Sequence, residues 1–336
     1  MTADSSARPT LNSVAKQAKV SRQTVSNVLN APELVNSETR ERVQAVIEQQ
    51  GYRPHRAARQ LRTHRSQVIG LRIDPIGDGI SGVVLDRFLH SLTATAEEHD
   101  HHIMLFTARD DDAEVRAYGE LVDTVGVDAF VLTGTHHGDA RTQWLREQKL
   151  PFVTFGRPWG ATENHAWVDV DGATGTELAT DHLIQRGHQR IAFVGWPAGS
   201  GSGDDRRAGW QRAMREAGLT DDRTVEVADG IDGGRAAVDR LLSADPPTGF
   251  VCTSDSLALG VVSELRERGL NPGTDVAVTG FDDTPVAEML GLTSVSQPVA
   301  EVAAQCIHQL QAVLRDAAIP EPALLAPQLV VRGTSG

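Results

Sequence analysis

Apolar side chains recur along the first fifty residues with a helical period. Leu11, Val14, Ala15 and Ala18 fall at i, i+3, i+4 and i+7, the spacing of one buried helix face. The pattern breaks at Lys19-Val20 and resumes as Thr24, Val25, Val28 and Leu29, a second short amphipathic helix. Two short helices joined by so tight a turn predict a helix-turn-helix, whose second helix can enter the DNA major groove. Ser21 stands at the N-cap position of that helix, so Arg22 and Gln23 lie at the end that faces base edges. Arg and Gln are the side chains that pair bidentately with guanine and adenine. After the turn at Pro32, Ser37 is the expected N-cap of a third helix. Val43, Val46 and Ile47 line one face of that helix, and Gly51 suits its stop.

Tyr52 to Arg62 follows, and Pro54 within it suits the start of a short helix. Ala57 and Ala58 are small enough for two copies of that helix to approach closely. Leu61 would then point from the pair as an apolar wedge between minor-groove base steps. Taken alone, Leu61 is an ordinary core residue; the flanking Arg56, Arg59 and Arg62 favour DNA. Thr63 to Gln67 reads as a polar linker. From Val68 the texture becomes short apolar runs alternating with helical patterns. Strands are predicted at Val68–Ile73, Ile103–Phe106, Ala129–Leu132, Phe152–Phe155, Ile191–Val194, Phe250–Cys252 and Val276–Thr279. Amphipathic helices are predicted between them, among them Val83–His99, Leu121–Val125, Asp205–Ala217 and Val299–Leu314. Such alternation gives parallel sheets covered on both faces. A stretch of this size is large for one sheet, so two α/β lobes are expected.

Charge sharpens the division. The net charge is −13, which alone argues against nucleic acid. Residues 1–66, however, hold eleven Lys/Arg against five Asp/Glu, a net of +6, and the rest is net −19. A basic head on an acidic body points to a head that grips DNA. No apolar run has the roughly 20 residues of a membrane span, and Met1 to Pro9 carries no apolar signal core. Cys252 and Cys306 lack metal-ligand spacing, which suits a reducing compartment. A cytoplasmic protein is the expectation.

The head and hinge resemble those of the LacI/GalR family of bacterial transcription regulators. The matching pieces include Val14-Ala15, Val20-Ser21, Thr24-Val25-Ser26, Val28-Leu29-Asn30, Thr39-Arg40-Glu41-Arg42-Val43, Gly51-Tyr52, Pro54, Ala58-Arg59 and Leu61. Lys19 departs from the pattern, because the family commonly has Gly in this turn. By this resemblance Arg22, Gln23 and Asn27 read bases and Leu61 kinks the operator centre. Ser21, Thr24, Ser26, Tyr52, Arg56 and Ala58 complete the expected DNA-facing set. The resemblance extends over the body. It implies an all-α helix-turn-helix headpiece (residues 1–53), a hinge helix and linker (54–67), and a two-lobed α/β domain of periplasmic-binding-protein type with parallel sheets (68–336). Lobe 1 is expected near 68–167 and 296–323, and lobe 2 near 168–293 and 326–333. Crossovers are placed near Val168–Asp171, Thr293–Ser296 and Leu324–Pro327, with a ligand cleft between the lobes.

Ligands of parallel α/β sheets sit beyond the carboxyl ends of strands. Reading the residues after each predicted strand gives Asp74, then Arg109, then Phe155, Arg157 and Trp159. Trp196, Ser254 and Asp282 follow later strands, and Asp205 and Arg206 follow a Gly-rich loop. Trp faces mixed with carboxylates and Arg suit a sugar, whose C–H faces stack while its hydroxyls bond to charged groups. Packing at a lobe interface is the competing reading for both Trp residues. The resemblance adds that Arg206, in Arg206-Arg207-Ala208-Gly209-Trp210, and Asp282, in Gly280-Phe281-Asp282-Asp283, contact the effector. Ser254 departs from an Asn common in the family at that point.

Gly199-Ser200-Gly201-Ser202-Gly203 lacks the Gly-Lys-Ser/Thr ending of a P-loop, and Asp204 and Asp205 follow it. His136 and His137 have no spaced carboxylate or Cys partner in the sequence. No G-x-S-x-G, H-E-x-x-H or paired catalytic acid occurs. The expectation is a non-enzymatic homodimeric repressor of carbohydrate-utilisation genes with no cofactor. It binds a pseudo-palindromic operator and is released by a mono- or oligosaccharide. A sugar-binding protein of a transport system is the alternative.

Overall fold

The computed structural model describes residues 9–52, 65–73, 82–160, 165–242, 245–315 and 318–336. The chain divides into two compact units at the Ser66/Gln67 junction.

Among its described residues the first unit carries three α-helices, α1 (Leu11–Ala18), α2 (Arg22–Asn30) and α3 (Ser37–Gln50). Thr10 caps α1 in a reciprocal box with Ser13, and Ser21 caps α2 by accepting from Thr24 N at 3.0 Å. Asn36, not Ser37, caps α3; its Oδ1 accepts from Thr39 N at 2.8 Å. Ser37 is thereby the first helical residue. Val14, Ala15, Ala18, Val25, Val28, Val43 and Val46 form the core. Lys19 ends α1 in the left-handed conformation (φ 54°, ψ 44°).

The second unit carries two six-stranded sheets, one per lobe. In lobe 1 the order is β11-β5-β4-β3-β1-β2, all parallel. Its strands are β1 (Val68–Arg72), β2 (His102–Phe106), β3 (Ala129–Leu132), β4 (Phe152–Phe155), β5 (Ala166–Val170) and β11 (Ala323–Leu325). In lobe 2 the order is β12-β10-β9-β8-β6-β7, with only β12 antiparallel. These strands are β6 (Ile191–Gly195), β7 (Thr224–Glu226), β8 (Gly249–Cys252), β9 (Ala277–Phe281), β10 (Thr293–Ser296) and β12 (Gln328–Val330).

Helices cover both faces of each sheet, as buried parallel strands require. In lobe 1, α4 (Gly82–Glu98) and α12 (Val299–Leu314) pack on one face; α5 (Asp111–Thr124) and α6 (Ala140–Glu147) cover the other. In lobe 2, α7 (Gly172–Gln185) and α8 (Ser202–Glu216) lie opposite α9 (Ile231–Leu241) and α10 (Asp255–Glu267). A short α11 (Pro285–Met289) follows β9. The chain passes between lobes after β5, after β10 and between β11 and β12. No helix among the described residues is long and apolar enough to cross a membrane.

Candidate nucleic-acid interface and effector cleft

The second helix, α2, presents a polar face to solvent. Its apolar stripe is sunk into the core, which leaves Ser21, Arg22 and Gln23 exposed and Thr24, Ser26 and Asn27 half-buried. Gln23 Nε2 donates to Asn27 Oδ1 at 2.9 Å across one turn. Arg42 donates from Nε to the Ala18 carbonyl at 3.2 Å, so it holds the end of α1. Tyr52 does not join this face: it is 7% exposed and packs in the head core. Its ring packs with the valines and alanines of the head core. Arg56, Ala58 and Leu61 lie outside the described residues, as does Asp74.

The cleft between the lobes has a volume of about 250 Å³. Phe155 and Trp159 line it from lobe 1; Trp196, Asp205, Arg206 and Asp282 line it from lobe 2. Each sits at or shortly after a strand end or near the start of a helix, where the parallel-sheet rule places ligand contacts. Arg206 is the deepest cation. Its guanidinium lies 3.6 Å from the Phe281 ring centre and 5.3 Å from that of Trp196. Nη1 donates to the Thr253 carbonyl, and Asp282 is 3.9 Å away. Arg206 Nε has no partner among the described residues. Burial pulls the Arg206 pKa down, against the nearby carboxylates.

Local sequence explains this placement. Gly209 sits one turn after Arg206, where a Cβ would overlap the Ala173 carbonyl, so its absence lets α8 approach α7. Trp210 is fully buried beside Phe193. Asp282 has a positive φ of 110°, an uncommon value for a residue with a side chain. Its Oδ1 accepts from Gln297 Nε2 at 2.7 Å. Burial pushes the Asp282 carboxyl up to about 7 even though Arg206 opposes the shift.

Arg157 and Ser254 stand behind the lining. Arg157 donates to Asp169 at 2.7 Å and reaches across the cleft to Asp205 at 3.3 Å. Its guanidinium also lies 4.8 Å from the Trp159 ring centre. Burial raises the Asp205 pKa, with Arg157 pulling the other way. Ser254 Oγ caps α10 and donates to Asp229, which also accepts from Trp196 Nε1 at 3.1 Å. Arg109 is not part of the cleft. It is exposed and pairs with its neighbour Asp110 at 3.1 Å, because β2 is the edge strand and its following loop feeds directly into the cap of α5.

Thr135, Asp169, Asp229 and Gln297 also line the cleft and are not among the residues expected from the sequence. Asp229 follows β7, a strand too short and polar to register as one. Gln297 directly follows the crossover strand at 293–296, and that adjacency was a usable signal.

Two bland sequence features also acquire partners. Asp204 Oδ2 accepts from Gly199 N at 2.8 Å, so the Gly-rich loop donates to its own carboxylate where a phosphate would need it. The fold brings Asp111 and Asp139 to His136, with His136 Nε2 2.8 Å from Asp111. Both Asp139 oxygens, however, accept from Arg141 at 2.9 and 2.6 Å.

A helix-turn-helix head followed by two parallel-sheet lobes around a ligand-sized cleft defines a ligand-responsive DNA-binding protein. Residues 10–55 match the model for bacterial regulatory proteins of the lacI family, and residues 180–335 match the periplasmic binding protein-like domain. The chain is 34% identical to the HTH-type transcriptional regulator AglR of Rhizobium meliloti, over 97% of this chain and 94% of that one. It is 36% identical to the regulator CelR of Thermobifida fusca, over 87% of each. The structure of a CelR–cellobiose complex superposes with a TM-score of 0.73 at 30% identity, covering 97% of this chain and 100% of that one. The lac repressor dimer bound to operator and the anti-inducer ONPF superposes at 0.84, covering 98% and 99%; at 24% identity this likeness speaks for the fold. The chain belongs to the LacI family of bacterial transcriptional regulators. Its relatives are regulators along their whole length, head included, so the transport alternative finds no support.

Proposed function

We propose that this regulator is a repressor of carbohydrate-utilisation genes that a neutral sugar releases from its operator. It acts in the cytoplasm as a homodimer and performs no catalysis. The observation that carries the ligand class is the cleft lining: two Trp faces, one from each lobe, set among the carboxylates of Asp169, Asp205, Asp229 and Asp282 with Arg206 between them. Aromatic faces suit sugar C–H surfaces, and charged groups suit hydroxyls as donors and acceptors. Four carboxylates against one lining guanidinium disfavour a phosphorylated ligand. The cellobiose bound by CelR, a relative across nearly the whole chain, supports the same class.

Two copies place two α2 helices on a pseudo-palindromic operator, with half-sites spaced by the helical repeat. Ser21, Arg22, Gln23, Thr24, Ser26 and Asn27 form the described part of that contact. Sugar bound between the lobes favours one lobe arrangement over another. It releases DNA only through unequal affinity for the two states, typically by about 1–3 kcal/mol.

The test is a titration of full-length protein on its selected operator with neutral mono- and disaccharides, cellobiose among them, and with sugar phosphates and nucleobases. A neutral sugar should lower operator affinity and raise the melting temperature. Arg206→Ala should keep operator binding and lose the response. A response confined to phosphorylated sugars or nucleobases would replace the sugar reading.

A further inference from the structure

We propose that His136, as an imidazolium, is a positioning residue for the effector cleft, so that sugar binding is linked to uptake of a proton. The inference rests on the proposed reading of the cleft as a sugar site. Its starting point is that both ring nitrogens face oxygens. Nε2 lies 2.8 Å from Asp111 Oδ2, and Nδ1 lies 3.1 Å from the His137 carbonyl. A carboxylate and a carbonyl only accept, and a neutral imidazole has a single N–H. Either neutral tautomer therefore sets a ring lone pair against an oxygen, and only the doubly protonated ring satisfies both contacts. Turning the ring over would bring carbon to both positions and lose both bonds.

The charges around the ring favour the same form. Asp111 stands in the first turn of α5, and Asp139 caps α6. Arg141 of α6 opposes them: it bonds both Asp139 oxygens, pairs with Glu114 of α5 at 2.9 Å and lies 3.7 Å from Asp111. Arg109 and Asp110 pair with each other before α5, and His165 lines the same small hollow as His136. From lobe 2, Asp204 of α8 comes within 3.8 Å of His137. Burial pulls the His136 pKa down, but the His137 carbonyl, Asp111 and Asp139 together carry it above the ordinary histidine value.

Placement gives the ring its role. Residues 133–139 join β3 to α6. Arg141 holds the start of this loop by donating to the Thr133 and Gly134 carbonyls at 3.3 and 3.2 Å. His136 pins its middle to α5. Between these anchors Thr135 Oγ1 donates to the Arg157 carbonyl and accepts from Trp159 Nε1, both at 3.1 Å. One residue beyond His136, His137 meets Asp204 across the cleft. Arginine keeps its charge in proteins, so the first anchor is permanent and the second titrates. Loss of the proton frees the middle of the loop, loosens Trp159 and withdraws His137 from lobe 2. The brace is present at low pH and is lost as pH rises through the raised His136 pKa. Coupling is reciprocal, so a proton that favours the sugar-holding lobe arrangement is itself favoured by sugar.

The experiment has two arms, both on the full-length protein with EDTA present. In the first, histidine ring NMR signals are followed from pH 5 to pH 9, and the signal missing from His136→Gln identifies the residue. His136 should titrate above about 6.5, and Asp111→Asn should bring it down. In the second, affinity is measured at pH 6 and pH 8 for the tightest binder among glucose, galactose, maltose and cellobiose. A half-unit difference in pKa between sugar-bound and free protein is worth about threefold in affinity. The ratio of affinities at pH 6 and pH 8 should be about threefold larger in wild type than in His136→Gln, which keeps a donor to Asp111 and takes up no proton. Asp205 and Asp282 are present in both proteins, so their titration cancels from the comparison. A cooperative melt of each variant excludes unfolding as the cause. Titration of His136 at or below the ordinary value, equal ratios in wild type and His136→Gln, or a ratio lost only in His137→Gln would overturn the proposal. Binding of none of the four sugars would overturn the sugar reading and the linkage with it, a failure separate from that of the ring titration.

Discussion

Asp282 shows how one residue joins the chemistry of the cleft to the stability of the chain. Its carboxyl is held above the ordinary range by burial, and the Arg206 guanidinium at 3.9 Å does not reverse that. The folded chain therefore keeps a proton that the unfolded chain releases. Stability from this group is present at low pH and is lost as pH rises from the ordinary carboxylate range through about 7. Asp255, pushed up to about 6 by burial, slopes the same way. Asp282→Asn imitates the protonated acid at every pH. Relative to that variant, the wild type should lose melting temperature between pH 5 and pH 8; a wild type that gains over this range would contradict the assignment. Asp282 was legible in the sequence because a strand end and a family segment both marked it, and Arg206 because a Gly-rich loop and a family segment did. Arg109 was misplaced for a physical reason: position after a strand does not reveal whether that strand is central or at an edge. Tyr52 was misplaced because a residue at the head's end serves packing or DNA equally well in one dimension.

Elements were legible wherever apolar runs were long. Ala129–Leu132 and Phe152–Phe155 are strands to the residue, as is Val299–Leu314 a helix. Thr224–Glu226 has one apolar residue among three and sits at the sheet edge, so no periodicity announced it. The helix read at Leu121–Val125 begins ten residues earlier, at Asp111; its first turn holds Asp111, Asp112 and Glu114, which favour a helix N-terminus but break an apolar pattern. The turn at Lys19 makes an element-scale prediction. A non-glycine residue in the left-handed region costs on the order of 1 kcal/mol. Lys19→Gly should therefore stabilise the head by up to about 1 kcal/mol, less the entropy glycine adds to the unfolded chain. Chemical denaturation monitored on the head checks this, and a destabilised variant would mean that the Lys19 side chain contributes more than its backbone costs. The α7–α8 crossing gives the opposite sign. Gly209→Ala would drive a methyl into the Ala173 carbonyl and force the helices apart. A cost of about 1–3 kcal/mol is expected, and sugar binding should weaken too, because Arg206 rides one turn away on α8. A melting temperature equal to wild type would show that the crossing relaxes freely.

At the scale of the whole effector domain, the lobes meet through contacts that a ligand must work against or with. Arg157 bridges to Asp205, His137 lies 3.8 Å from Asp204, and Arg87 Nη1 donates to the Asp283 carbonyl at 3.1 Å. Between them the Gly-rich loop lies on Trp159. A Cβ on Gly201 would come within 2.6 Å of the indole nitrogen, and its φ of 64° already favours glycine. The loop thus closes over an aromatic face that the sugar is proposed to use, and its closeness depends on a missing side chain. Gly201→Ala should hold the loop off Trp159 without altering any charged group of the lining. Ligand would then leave a less covered cleft. A tenfold faster dissociation corresponds to about 1.4 kcal/mol of lost closed-state stability, a fair size for one displaced contact. Stopped-flow release of the sugar identified by the operator titration measures it, with operator affinity in the absence of sugar as the control. Faster release with unchanged sugar-free operator binding places the loop in closure of the cleft. Release at the wild-type rate would mean that the lobes stay shut through the Arg157, His137 and Arg87 contacts alone, and that the glycines serve only the turn into α8.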